Sequence, residues 1–359
     1  MTLKGFSVKQ KVIKDYKMFD YKYHTKDLTQ FSFLITGGAG FIGSNLVEYL
    51  LKYGAKKVKV LDNLSTGFYD NIKEFESNQS FEFIEGDIRD LSTCQKAVAE
   101  VDYVLHHAAL GSVPRSIHDP ISSNEVNLSG FLNILVAVKE TKSVKRLIYA
   151  ASSSTYGDHQ ALPKTEDIIG KPLSPYAVTK YVNELYADVF SKIYGIETIG
   201  LRYFNVFGPK QSPNGAYAAV IPKFVFSLMD LRRPIINGDG TYSRDFTFIE
   251  NVIQMNMLAV FTDNPKAVNT IYNTAFGERT TLLQLFDLIK TNLRFKNNAI
   301  SGIDVDKGPV RVGDIPHSLA NINKAKELLG YNPMYSIKDG IQETCDWYWE
   351  NSVNKINKN

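Results

Sequence analysis

The stretch "ITGGAGFIGSNLVEYLL" sets Gly37, Gly40 and Gly43 three residues apart, after a short apolar run at 32–36 and at the start of an amphipathic one at 41–53. Few local structures satisfy that spacing. Glycines allow a tight strand-to-helix turn, let backbone N–H groups approach a pyrophosphate, and let the helix pack closely on the strand, while the helix N-terminus favours negative charge. Asp62 then closes the next apolar run, 58–62. A carboxylate there accepts the ribose hydroxyls of an adenosine and repels a 2′-phosphate, so the pattern points to NAD rather than NADP. A structural glycine turn beside an unrelated solvated Asp would need strand, helix and acid to coincide by accident.

The remainder of the first half keeps the same rhythm. Runs at 32–36, 58–62, 81–85, 103–106, 146–150 and 198–203 read as buried strands, and 41–53, 91–99, 124–142 and 176–194 carry helical periodicity. Such alternation predicts an α/β fold, a Rossmann-type doubly wound parallel sheet. After Asn205 the pattern loosens into Pro- and Gly-rich loops between shorter helices, as expected of a smaller substrate-binding lobe. We therefore expect an N-terminal extension at 1–30, a mainly NAD-binding domain at 31–205 and a mainly substrate-binding lobe at 206–359, with segments crossing between them. The extension lies outside the rhythm and is expected to be frayed or packed onto the domain.

Lys and Arg total 41 against 38 Asp and Glu, a net charge of +3 spread along the chain, which leaves no nucleic-acid or membrane footprint. The two cysteines, Cys94 and Cys345, stand alone in their segments and suggest neither a disulfide framework nor a metal site. That cysteine usage makes a reducing, cytoplasmic setting the expectation, and since no apolar run approaches the 18 residues needed to span a bilayer, a soluble protein is expected.

Further residues fit the same cofactor. Phe41 and Ile42 follow the glycine turn, and Asn63, Ser65 and Gly67 follow Asp62. Asp87 and Ile88 end the third run, and Ala108 and Ala109 follow the fourth. In "YAVTK", Tyr176 and Lys180 stand at i and i+4 and share one helix face. A phenol is a poor base near neutrality, and a neighbouring ammonium lowers its pKa. Upstream, "AASSSTYG" offers the hydroxyls of Ser152, Ser153 and Ser154 at a strand end.

"TGGAGFIG", "SSSTYG", "SPYAVTK" and "RYFNVFGP" resemble the motifs of the extended short-chain dehydrogenases. With "SRDF" and "VRVGDIPHS" the chain resembles the UDP-hexose 4-epimerases from Phe31 onward, and most of all the UDP-N-acetylglucosamine 4-epimerases of bacterial surface polysaccharide and lipopolysaccharide biosynthesis. The resemblance implies that Tyr176 is the catalytic base and acid, Lys180 its activator and ribose ligand, and Ser152 the partner of the sugar O4. It implies that Asn127 steadies the nearby helix and that Tyr203 lines the nicotinamide pocket. Asn205 and Arg244 would hold the diphosphate, with Ala219, Val220, Asn237, Arg311 and Asp314 completing the nucleotide site. A homodimer is implied as well.

Ser153 and Ser154 stand where related dehydratases and decarboxylases carry acids, which disfavours elimination and leaves hydride transfer and its reversal. Ser318 stands where glucose- and galactose-specific relatives carry a bulky Tyr, so the resemblance implies room for a 2-acetamido group. The expected reaction is interconversion of UDP-GlcNAc and UDP-GalNAc, with the uronic-acid forms of those sugars as the alternative.

Overall fold

A computed structural model describes residues 18–213, 218–310 and 315–356, without the side chains of 353–356. The apolar runs form β1 (Ser32–Thr36), β2 (Lys57–Asp62), β3 (Phe81–Glu85), β4 (Tyr103–His106), β5 (Arg146–Ser152) and β6 (Thr198–Tyr203). Between them lie α1 (Phe41–Lys52), α2 (Leu91–Val98), α3 (Val113–His118), α4 (Pro120–Asn124), α5 (Gly130–Glu140) and α6 (Pro175–Tyr194). The second half supplies β7 (Val206–Phe207), α7 (Val220–Met229), β8 (Ile235–Asn237), β9 (Ser243–Arg244), β10 (Thr247–Phe248), α8 (Ile249–Phe261) and β11 (Thr270–Thr274). It ends with β12 (Thr280–Thr281), α9 (Leu282–Leu293), β13 (Asp306–Gly308), α10 (Asn323–Leu329) and α11 (Ile337–Ile356).

Seven of the strands form one sheet in the order β11-β6-β5-β4-β1-β2-β3, every pair parallel. Alternation along the strands sends Leu34, Leu61, Val104, Leu147 and Tyr149 towards α2, α5 and α6, and Phe33, Ile35, Val60, Leu105 and Ile148 towards α1 and α8. Both faces are thereby covered, as parallel sheets require. The strand order reverses between β1 and β4, which opens a crevice at their C-terminal ends.

Two features depart from the expected elements. Sequence periodicity missed β11, which pairs with β6 and joins the second half of the chain to the main sheet. The helix expected at 124–142 is interrupted by a π-helical turn over Glu125–Ser129, and there Asn127 turns its amide onto the backbone of Leu110. π-turns of this kind commonly sit beside functional sites. Cys94 and Cys345 are free and buried, and no helix among the described residues is long and apolar enough to cross a membrane.

The described part of the extension, from Met18 onward, packs on the domain, burying Phe19, Tyr23 and Leu28. It is pinned to α8 at Glu250, whose Oε1 accepts the Phe19 N–H at 2.7 Å and whose Oε2 meets the Tyr23 hydroxyl at 2.5 Å. Tyr49 of α1 closes the contact, its hydroxyl accepting the Tyr23 N–H at 2.7 Å. Burial pushes the Glu250 carboxyl from its ordinary 4.5 up to about 8. Between those values the folded chain holds a proton that the unfolded chain releases, so this group's contribution to stability falls as pH rises through the window and then levels off. Glu250→Gln should flatten the decline of Tm across about pH 5 to 8. Parallel melting curves for variant and wild type would count against the assignment.

Candidate active site

The glycine turn forms one wall of a cavity of about 400 Å³ in the crevice. Gly37 has φ +70°, and a Cβ there would stand 2.7 Å from the Ala108 nitrogen; one on Gly43 would stand 2.2 Å from the Gly37 carbonyl oxygen. Side chains are thus excluded where a ligand's phosphates would approach the N-terminus of α1. Asp62 accepts the N–H groups of Ala39 at 3.0 Å and Leu64 at 2.8 Å. Burial raises its pKa while these two bonds lower it. Two oxygens with about four acceptor positions still leave room for a pair of hydroxyls. Gly67 preserves that access, since a Cβ there would crowd Asp62 Oδ2 at 3.0 Å. Asp87 is held by Arg89 and Asn63, and the Arg89 bonds draw its carboxyl down to about 2. Gly40, Phe41, Ile42, Asn63, Ser65, Ile88, Ala108 and Ala109 line the same cavity, so the structure brings together all the residues expected around the dinucleotide. The glycine cradle and the free lone pairs of Asp62 fit an adenine dinucleotide without a 2′-phosphate.

The residues expected to react, Ser152, Tyr176 and Lys180, enter from β5 and α6. Ser174 caps α6 by accepting the Ala177 N–H, and Pro175 follows at the first helical position, so Tyr176 stands in the first turn. Tyr176 and Lys180 line the cavity together with Ser152 and Tyr203. Burial raises the Tyr176 pKa, and the hydrogen bond from Ser152 works against that rise. Ser152 Oγ accepts from the Ser154 N–H at 3.1 Å and from the Ser154 hydroxyl at 2.9 Å, which leaves its own proton for the Tyr176 phenol. Ser152 thus acts on Tyr176 from the same cavity wall as Lys180, the residue expected from the sequence to activate it. Lys180 Nζ donates to the Ala150 carbonyl at 2.8 Å, and burial pushes its pKa down to about 8, with Glu184 opposing the fall. Tyr203 donates to His107 Nε2 at 2.8 Å and accepts from Asn256 at 3.0 Å. Its ring stacks on His107 with centroids 5.9 Å apart. Burial, and then the Lys180 charge, hold His107 down at about 4, so it stays neutral. Asn127 grips the backbone of Leu110 and the Thr179 hydroxyl, tying α6 to the cavity floor.

Asn205 lines this cavity and also a second one of about 690 Å³. It holds φ +36°, a left-handed conformation that Asn tolerates, and its amide donates to the Asp245 carbonyl at 3.0 Å. Val220, Asn237 and Arg244 line the second cavity as the sequence implied. Arg244 is anchored on the carbonyls of Ser243 and Pro316. Ser153, Ser154, Ala219 and Ser318 stand back from both cavity walls. Ser154 spends its hydroxyl on Ser152, Ala219 forms the N-cap of α7, and Ser318 bonds its backbone N–H to Ser243. Arg311 and Asp314 lie outside the described residues.

Sequence reasoning missed His107 and Arg115 in the first cavity and Lys223, Arg232 and Arg233 in the second. Lys223, at i+3 from Val220 on α7, carried a helical-spacing signal; the others carried none that separates them from surface charges.

The GDP-mannose 4,6 dehydratase family model matches residues 34–344. A putative UDP-glucose 4-epimerase of Methanocaldococcus jannaschii is 37% identical over 321 residues, 89% of this chain and 99% of the relative. Among solved structures, a UDP-N-acetylglucosamine 4-epimerase from Methanobrevibacter ruminantium, in complex with UDP-N-acetylmuramic acid, superposes with a TM-score of 0.82 at 36% identity, covering 89% of this chain and 99% of that one. A UDP-glucose 4-epimerase of Thermus thermophilus in complex with NAD gives 0.78 at 32% identity, with coverage of 89% and 99%. A family match over most of the chain makes this protein a member of the extended short-chain dehydrogenase/reductase family that the GDP-mannose 4,6 dehydratase model describes.

Proposed function

We propose that the chain is an NAD-dependent UDP-sugar 4-epimerase whose preferred substrate is a UDP-N-acetylhexosamine. The observation that carries this reading is the meeting of Ser152, Tyr176 and Lys180 in the cavity of the glycine cradle, joined through Asn205 to a second cavity lined by cations. The glycine turn, Asp62, Tyr203 and Lys180 would hold NAD, which when bound would supply reversible hydride chemistry at C4 of the hexose, so that no external oxidant would be needed.

The chain's own residues supply the rest. Tyr176 takes the 4-hydroxyl proton while Ser152 donates to the phenolic oxygen and so favours its anionic form. Lys180 adds a positive charge to the same wall. Arg244 and Asn205, with Lys223 nearby, face the second cavity and would grip the diphosphate. A substrate held by its UDP leaves the hexose ring free to turn between proton removal and proton return, which inverts C4. The hydroxyl side chains at 153 and 154 leave no carboxylic acid to drive loss of water.

Ser318 sits off both cavity walls on the segment that Arg244 and Ser243 hold in place, and the reading that its small side chain leaves room for a 2-acetamido group rests on the resemblance. Ser318→Tyr should reduce kcat/KM for UDP-GlcNAc at least about tenfold more than for UDP-glucose. Equal losses on both would remove the basis for preferring acetylated sugars. The reaction itself is tested by incubating purified protein with UDP-GlcNAc, UDP-glucose and UDP-GlcNAcA without added NAD and identifying products by NMR. An inverted C4 centre in the acetylated hexosamine is expected; loss of water or CO₂ would overturn the reading.

Ile117, Ile121, Val178, Leu185, Val189 and Ile193 form an exposed apolar face on α3, α4 and α6. Such a face supports a homodimer in which two copies of α6 pair.

A further inference from the structure

Arg202 and Glu184 are both buried, with only 3% of each side chain exposed, and they pair in a two-pronged contact. Arg202 Nε donates to Glu184 Oε1 at 2.9 Å and Nη2 to Oε2 at 2.8 Å, while Nη1 donates to the Glu166 carbonyl at 3.0 Å. The guanidinium lies 4.7 Å from the centroid of the Tyr156 ring. Tyr156 donates to Asn273 Oδ1 at 2.6 Å, and the Asn273 amide donates to the carbonyls of Lys164 and Asn321, each at 2.9 Å. None of these side chains lines either cavity of the candidate site.

Each nevertheless sits one step from a residue that does act there. Glu184 follows Tyr176 and Lys180 at i+8 and i+4 on the same face of α6. Tyr156 ends the 3₁₀ turn that begins beside Ser152. Arg202 is the neighbour of Tyr203 on β6, and strand alternation sends Tyr203 into the cavity and Arg202 to the opposite face. A buried ion pair is a weak device for stability alone, because desolvating two charges cancels most of their attraction. A planar fork does, however, fix direction and distance in a way that apolar contact cannot.

Resting on the epimerase reading, we propose that Glu184 and Arg202 are positioning residues: their ion pair fixes α6 against the Ser152–Tyr156 turn so that Tyr176 and Lys180 stay aligned with Ser152, and Glu184, held on Arg202 one helical turn from Lys180, acts on that ammonium through space. The groups facing Lys180 are Tyr176 and Glu184 from its own helix, His106 and His107 from the end of β4, Tyr203 from β6 and the Ala150 carbonyl from β5. Both histidines are held neutral by burial, so Glu184 supplies the negative charge in this set.

The test uses the full chain with its purified cofactor content and follows kcat against pH. Glu184→Gln should move the high-pH limb down by about one pH unit, since Lys180 then loses its proton earlier. Arg202→Lys keeps the charge and loses the fork; it should lower kcat about tenfold or more with KM within threefold and the limb unmoved. A purely structural pair would lower activity without moving the limb. If Glu184→Gln does not fold, the double variant Glu184→Gln with Arg202→Gln leaves no lone buried charge, and a downward shift smaller than that of Glu184→Gln is expected, because a positive charge is removed as well. The shift is also readable without turnover, by ¹⁵N NMR titration of the Lys180 Nζ, assigned by its loss in Lys180→Met. An unchanged Lys180 titration and a kcat within threefold of wild type would overturn the proposal. Absence of any C4 inversion by the wild-type protein would instead sink the epimerase reading while leaving the NMR comparison interpretable.

Discussion

Tyr176→Phe is expected to lower kcat by about a thousandfold, the middle of the range for loss of a group that moves a proton in the transition state. The phenolic oxygen is where the Ser154–Ser152 hydroxyl chain ends, and no other group along that chain can take the substrate proton. Binding should survive. The backbone N–H of Tyr176 keeps its bond to Ser116, and the glycine cradle and Asp62 are untouched. Losing one hydrogen bond costs about 1 kcal/mol of stability, so Tm should change by no more than a few degrees. The measurement pairs steady-state turnover with the NAD content of the purified protein and with UDP affinity by calorimetry. Turnover within tenfold of wild type would remove Tyr176 from the mechanism, whatever else the cavity binds.

Gly43→Ala should act in the opposite way, on the cofactor before the chemistry. The added Cβ would meet the Gly37 carbonyl oxygen at 2.2 Å and the Gly38 Cα at 2.7 Å, both backbone atoms with no flexible end to give way. The turn must move, and with it the N–H groups that face a pyrophosphate. Overpacking of this sort costs about 1–3 kcal/mol, and the displaced cradle should reduce NAD content after purification by about tenfold. Gly302→Ala is the matched control, because nothing lies within 4 Å of the Cβ it would add. Equal NAD content and equal Tm in the two variants would show that the first turn tolerates a side chain.

The first six strands were legible because a buried parallel strand is a nearly unbroken apolar run, and the glycine turn and Asp62 mark the end of the first and second. Tyr176 and Lys180 were legible because i, i+4 spacing is a local property of a helix. β11 was not. "TIYNT" is short, lies among loops, and becomes a strand of the main sheet by pairing with β6 some 70 residues earlier. The extension showed no periodicity, and its anchoring depends on Glu250, 231 residues from Phe19. Arg232 and Arg233 read as ordinary surface charges until the fold brings them, beside β8, to one cavity with Lys223 of α7.

Local covalent order determined the class of fold, the glycine cradle and the shared helix face of Tyr176 and Lys180, since each depends on spacings of a few residues that a strand or helix converts directly into geometry. Tertiary structure alone decided that Ser152 reaches the cavity wall beside Tyr176, where Lys180 sends its ammonium, and that Arg202 closes on Glu184. Those outcomes turn on burial and on contacts between segments far apart in the chain, and desolvation, which governs every charge involved, has no value until the chain has folded around it.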